Sequence, residues 1–179
     1  MREVEIDCPS SCPYLKTSRS YELDKPIPDA EGAAKIQRFG DGFVEKYYGI
    51  LDMLSLAIIE ERMSSAWLVD HDVIEVLKAL HETFKTLSGG IYYESLPDGP
   101  VRQALFRRLK EVLDELMRSD PGAERILKVS EALDILDFLT AVAQVNSSER
   151  PKSRRYLDWI YERYAAQIPA QPSSGLIIP

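Results

Sequence analysis

Cys8 and Cys12, in the stretch DCPSSCPYL, are the residues of this chain best equipped for chemistry. Two thiolates this close can share one zinc ion, close a short disulfide or act as a redox couple. A structural zinc site takes four ligands, and the chain has no third cysteine. Its two histidines, His71 and His81, fall ten positions apart on one expected helix, about 15 Å of rise, so one metal reaches both only with difficulty. Leu15 stands where a redox pair beginning at Cys12, or a three-cysteine cluster motif, would need its next thiol. The pair is therefore expected to be structural or incidental, with zinc shared across a dimer through Cys8 and Cys12 as the metal alternative.

Asp52 is the second candidate. It interrupts YYGILDMLSLAII, the most apolar stretch of the chain, one turn before Ser55. A carboxylate buried there must be paired, hydrogen-bonded or neutralised. The expectation is a Lys or Arg partner from a neighbouring helix, or a place on a wet edge. The functional alternative is a polar group in a ligand pocket. Tyr92 and Tyr93, in the connector IYYESLPDGP, could line such a pocket or cover one end of the core. His71 and Glu75 share a helix face four residues apart, which reads as a solvated pair.

Several chemistries lack their residues altogether. There is no Glu-x-x-His for a di-metal carboxylate site, no glycine-rich loop followed by Lys-Ser/Thr for phosphate, and no Gly-x-Ser-x-Gly nucleophile turn. The chain is accordingly expected not to be an enzyme, and to need no cofactor.

Helices must position these residues. Apolar side chains recur at helical spacing over about 41–63, 70–88, 100–118 and 121–146. Shorter helices are expected over about 29–38 and 152–166. Gly40, Gly89-Gly90, Pro97-Asp98-Gly99-Pro100, Ser119-Asp120-Pro121 and Asn146-Ser147-Ser148 punctuate them. The first long helix is apolar nearly all round, which predicts a central, mostly buried position. Glu131, Asp134 and Asp137 are expected on the solvent face of the last long helix. Short breaks between four amphipathic helices predict a mainly α fold, an antiparallel bundle of four long helices plus a short C-terminal helix. The expected organisation is an irregular N-terminal arm over 1–28, a helical domain over 29–168 and a tail over 169–179. Val4–Ile6 could pair as a short strand with Leu176–Ile178 of that tail.

Composition narrows the class further. With 179 residues, 45% hydrophobic, the chain can bury one self-sufficient core. A net charge of −7 argues against a dedicated nucleic-acid binder, because phosphate must be met by Lys and Arg. Charge is also uneven. Residues 41–88 hold nine acidic and four basic side chains, and residues 150–179 hold two acidic and five basic, so the basic C-terminal segment is expected to dock on residues 41–88 of its own chain. No apolar run is long enough for a membrane helix and no signal peptide is visible, so a cytoplasmic location is expected. The leading functional expectation is a protein-protein interaction or self-association module, with a protein partner or a homo-oligomer. The alternatives are a thiol or zinc protein centred on Cys8 and Cys12, and a small-ligand bundle built around Asp52.

Overall fold

The computed structural model describes residues 30–90, 93–118, 127–148 and 150–165. Among them are six helices and no strand: α1 (Ala30–Gln37), α2 (Asp41–Ser64), α3 (Asp70–Ser88), α4 (Pro100–Met117), α5 (Val129–Asn146) and α6 (Arg155–Tyr164). The protein is mainly helical, and no helix of the described residues is long and apolar enough to cross a membrane. The N-terminal arm with Cys8 and Cys12, Tyr92, and the tail with Leu176–Ile178 lie outside the described residues.

Helix starts follow local chemistry. Gly40 adopts φ +70°, a left-handed conformation that only glycine takes without strain, and so turns α1 into α2. Gly99 does the same at φ +92°, and Pro100 follows as the first residue of α4, where its missing N–H costs nothing. At α3 the Asp72 carboxylate accepts the Val69 N–H (3.2 Å), and at α5 the Glu131 carboxylate accepts the Lys128 N–H (3.1 Å). That second cap sets the start of α5 at Val129; residues 121–126 of the expected helix lie outside the described residues. Leu127 is buried all the same, with its N–H donated to the Leu116 carbonyl at 3.1 Å. The last helix is also shorter than the expected 152–166.

The centre of the core is α3 rather than α2. Val73, Val76, Leu77, Leu80 and Phe84 are buried on α3, which packs against both α4 and α5. Leu105, Phe106, Leu109 and Leu113 meet it from α4; Ala132, Ile135, Leu136 and Leu139 come from α5. By contrast α2, expected to be central and mostly buried, is buried along Tyr47, Leu51, Leu54, Ile58 and Ile59 but leaves Val44, Tyr48 and Met53 exposed. It lies on α4 and α6 and touches α5 more lightly. A run of rings, Phe39, Phe43 and Phe138 with centroids 4.9–5.4 Å apart, fastens the α1–α2 turn to α5.

Neighbouring helices are not all antiparallel. After α3 the chain turns back along it: the Tyr93 carbonyl accepts the Thr86 hydroxyl (3.2 Å), and the Ser95 N–H donates to the Thr83 hydroxyl (3.0 Å). Arg102, near the start of α4, then bonds Asp72, near the start of α3, at 2.6 Å. Lys110, farther along α4, stands 3.5 Å from Glu94. Thus α4 runs in the same direction as α3. The connector 89–99 spans up to ~36 Å when extended, whereas α3 is about 28 Å long, so the return is geometrically easy.

Charged side chains tie the helices together instead of decorating one face each. Arg108 reaches from α4 to Glu61 (3.1 Å) and Glu60 (2.8 Å) on α2. Two acids expected on a solvent face of α5 also reach outward. Asp137 accepts from Arg38 (3.0 Å) and lies 3.4 Å from His81, while Glu131 accepts from Lys46 (3.0 Å) and Tyr47 (2.9 Å).

The Lys128 N–H, then the Lys46 ammonium and the Tyr47 hydroxyl, lower the Glu131 carboxyl from 4.5 to about 2. A carboxyl depressed in the folded state contributes stability above its unfolded value and loses it as pH falls through the folded value. Glu131→Gln should therefore flatten the loss of thermal stability between pH 4.5 and about 2, read by circular dichroism. Parallel acid profiles for the two proteins would contradict this.

Candidate functional site

The most strongly determined polar site lies where the α2–α3 turn meets the start of α6. Asp70 opens α3, yet its carboxylate serves a different helix. It accepts the Tyr156 N–H (3.2 Å), the Leu157 N–H (3.1 Å) and the Ser153 hydroxyl (2.6 Å). Its own N–H donates to the Ser153 carbonyl at 2.8 Å. Tyr156 and Leu157 are the second and third residues of α6, the amides that a cap normally satisfies. The residue before α6, Arg154, offers no side-chain cap of its own, so Asp70 supplies one from across the fold.

Asp70 is almost fully buried. Burial raises its carboxyl above the usual aspartate range; Ser153 and the Leu157 and Tyr156 amides pull against that, and nearby Asp158 adds to it. The helix N-terminus carries partial positive charge, which suits an anion placed there.

Three further contacts hold the same corner. Arg154 donates to the Ala66 carbonyl in the turn, and Arg62 pairs with the buried Asp158. Arg62 also lies over the Tyr161 ring, 4.6 Å from its centroid. In between, Leu68 is buried, fixing the turn from beneath. Trp67 is thus held between a bonded neighbour and a buried one, while its own side chain remains 71% exposed. Docking of the last helix on the acidic segment therefore runs through helix amides, a hydroxyl, the Arg62–Asp158 pair and the Arg154–Ala66 bond.

Asp52 lies at the far end of α6. Its Oδ1 is buried and has no hydrogen-bond partner among the described residues, and the Lys or Arg partner that is one of two expected arrangements is not found among them. Its polar neighbour is the Tyr164 phenol, which also meets Ser55. Burial raises the Tyr164 phenol; Ser55 opposes that shift and Asp52 reinforces it. Tyr93 is exposed beside the end of α3 and joined to Thr86, so it belongs to a different part of the fold from Asp52.

His71 is exposed, and among the described residues no group of three His, Cys, Asp or Glu side chains is placed to hold a metal ion. A shallow groove of about 380 Å³ beside α4 is lined by Glu94, Phe106, Lys110 and Asp114 among others, with both signs of charge. Comparison of the chain with protein-family models, with curated proteins and with solved structures finds no match.

Asp70, Ser153 and Trp67 are the residues the sequence reading passes over. An acid at a helix start is an ordinary signal for a local cap, and nothing local points to amides 86 and 87 positions away. Asp70→Ala would leave two helix amides in an apolar setting without an acceptor, which costs roughly 2–3 kcal/mol. The expected outcome is a fall of about 5–10 °C in the unfolding midpoint. Asp70→Asn, which keeps one carbonyl acceptor, should lose less. A midpoint unchanged in Asp70→Ala would contradict the cross-helix cap.

Proposed function

We propose that this chain is a non-catalytic protein-interaction module that self-associates through the corner carrying Trp67. In this reading its four long helices act as one bundle with mixed neighbour directions, whose task is to hold that corner rigid. The observation that carries the proposal is the exposure of Trp67 on a turn fixed at both sides. A large aromatic that loses little freedom on binding is the side chain most often found at the energetic centre of an interface.

A second copy is the partner this charge pattern fits. Residues 150–165, which hold all five basic side chains of the basic segment, meet the acidic segment 41–88 at the corner. In a twofold contact each patch can face its opposite on the other copy, which favours that pairing over association with a like-charged surface.

A second reading rests on a separate observation. The unpartnered Asp52 Oδ1, with Ser55 and the Tyr164 phenol nearby, would suit a small ligand carrying a hydrogen-bond donor.

Sedimentation velocity across a wide range of protein concentration tests the main proposal. The wild-type chain should shift from monomer to dimer. Trp67→Ala should weaken dimerisation by about 30-fold or more, the usual effect of truncating a central aromatic, with its helix content unchanged. A wild-type chain that stays monomeric throughout, or a Trp67→Ala variant that dimerises equally well, would contradict it.

A further inference from the structure

A second exposed surface, separate from the Trp67 corner, lies on α2. The helix α6 covers only the C-terminal half of α2. Arg154 meets Ala66, Asp158 meets Arg62, and Tyr164 meets Ser55 and Asp52, so α6 runs antiparallel to α2 and ends near the middle of it. At 3.6 residues per turn, Arg62, Ser55, Tyr48 and Val44 fall within one strip about 40° wide. The strip is therefore covered at Arg62 and Ser55 and open at Tyr48 and Val44. There it exposes apolar surface, 57% of Tyr48 and 43% of Val44.

The polypeptide leaves α6 at the boundary between the covered and the open part. Residues 166–179 follow in the sequence, ending in Leu176-Ile177-Ile178-Pro179. We propose that Leu176, Ile177 and Ile178 of this same chain dock on the open strip of α2, over Tyr48 and Val44, continuing the line that α6 begins.

The lengths and the chemistry agree. From Asp52 to Val44 the helix rises about 12 Å. The residues between Tyr164 and Leu176 span up to ~36 Å, so the segment reaches the strip with slack to spare. Apolar side chains meet an apolar face, and the removal of both from water favours the contact. A segment tethered beside its target also has a high effective concentration, which a second copy or a separate protein must match by affinity. Pro169, Pro172, Ser173, Ser174 and Gly175 in the intervening stretch are residues suited to a connector.

Site-directed disulfide formation tests the placement. The background is the full chain with Cys8→Ser and Cys12→Ser. Tyr48→Cys is combined with Ile177→Cys, and the control combines Met53→Cys with Ile177→Cys. Met53 is exposed on the opposite side of α2, so the control asks whether a merely tethered segment reaches any face equally. Both sites are solvent-facing, and circular dichroism checks that each variant folds.

Under mild air oxidation the Tyr48→Cys pair should close within one chain at least ten times faster than the control pair, at a rate independent of protein concentration. Equal rates for the two pairs would overturn the proposal. So would disulfide-linked dimers, which would place the segment on another copy, or the absence of any bond in the Tyr48→Cys pair.

Discussion

A carboxylate sealed from water must find donors, and a helix end must find acceptors for its first amides. In this protein one side chain meets both demands. Asp70 opens α3 and closes the N-terminus of α6, linking the central helix of the core to the last helix of the described chain. The reciprocal bond from the Asp70 N–H to the Ser153 carbonyl leaves little freedom in the approach to α6. Once α6 is fixed at that end, the remaining contacts follow in order along α2: Arg154 at Ala66, Asp158 at Arg62, and Tyr164 at Ser55. Both exposed surfaces depend on this registration, since Trp67 sits in the turn it braces and the open strip of α2 begins where α6 stops.

The same constraint explains how charge is used. Burial pushes the Asp70 carboxyl up while the hydrogen bonds of Ser153 and α6 hold it down, so its ionisation is costly and its partners are obligatory. Glu131 is the opposite case: an amide, an ammonium and a phenol surround a carboxylate near the surface and depress it to about 2. One acid limits the fold by what it requires, and the other strengthens it by what it gathers. Arg62, Arg102 and Arg108 likewise reach between helices, so that the acidic overall balance is partly an internal framework of cross-helix bonds.

Much of the helix pattern was legible in the residues, because Gly40, Gly90, Gly99 and Pro100 sit at the ends of regular apolar stripes. The beginning of α5 was not. Leu127 continues the apolar spacing, yet it precedes the helix: it is buried, and its N–H donates to the Leu116 carbonyl. The common direction of α3 and α4 was also hidden, for it depends on Thr83 and Thr86 holding a returning connector. Apolar composition misled at α2, where Tyr48 and Met53 are exposed, because composition records what could be buried and not what arrives to bury it. Asp52 was visible as a polar intrusion, but the identity of its neighbours, a serine and a phenol instead of a cation, depends on where α6 ends.

The dependence of the structure on the Asp70 cap can be measured at the amides it receives. Native-state hydrogen exchange of the Tyr156 and Leu157 N–H groups, compared with core amides of α3 such as Leu77 and Leu80, reports whether α6 opens alone or only with the core. The cap predicts slow exchange at both α6 amides, with an opening free energy matching that of the α3 core. Rapid exchange at Tyr156 and Leu157 while Leu77 and Leu80 stay protected would contradict it, showing that α6 comes and goes without disturbing the rest.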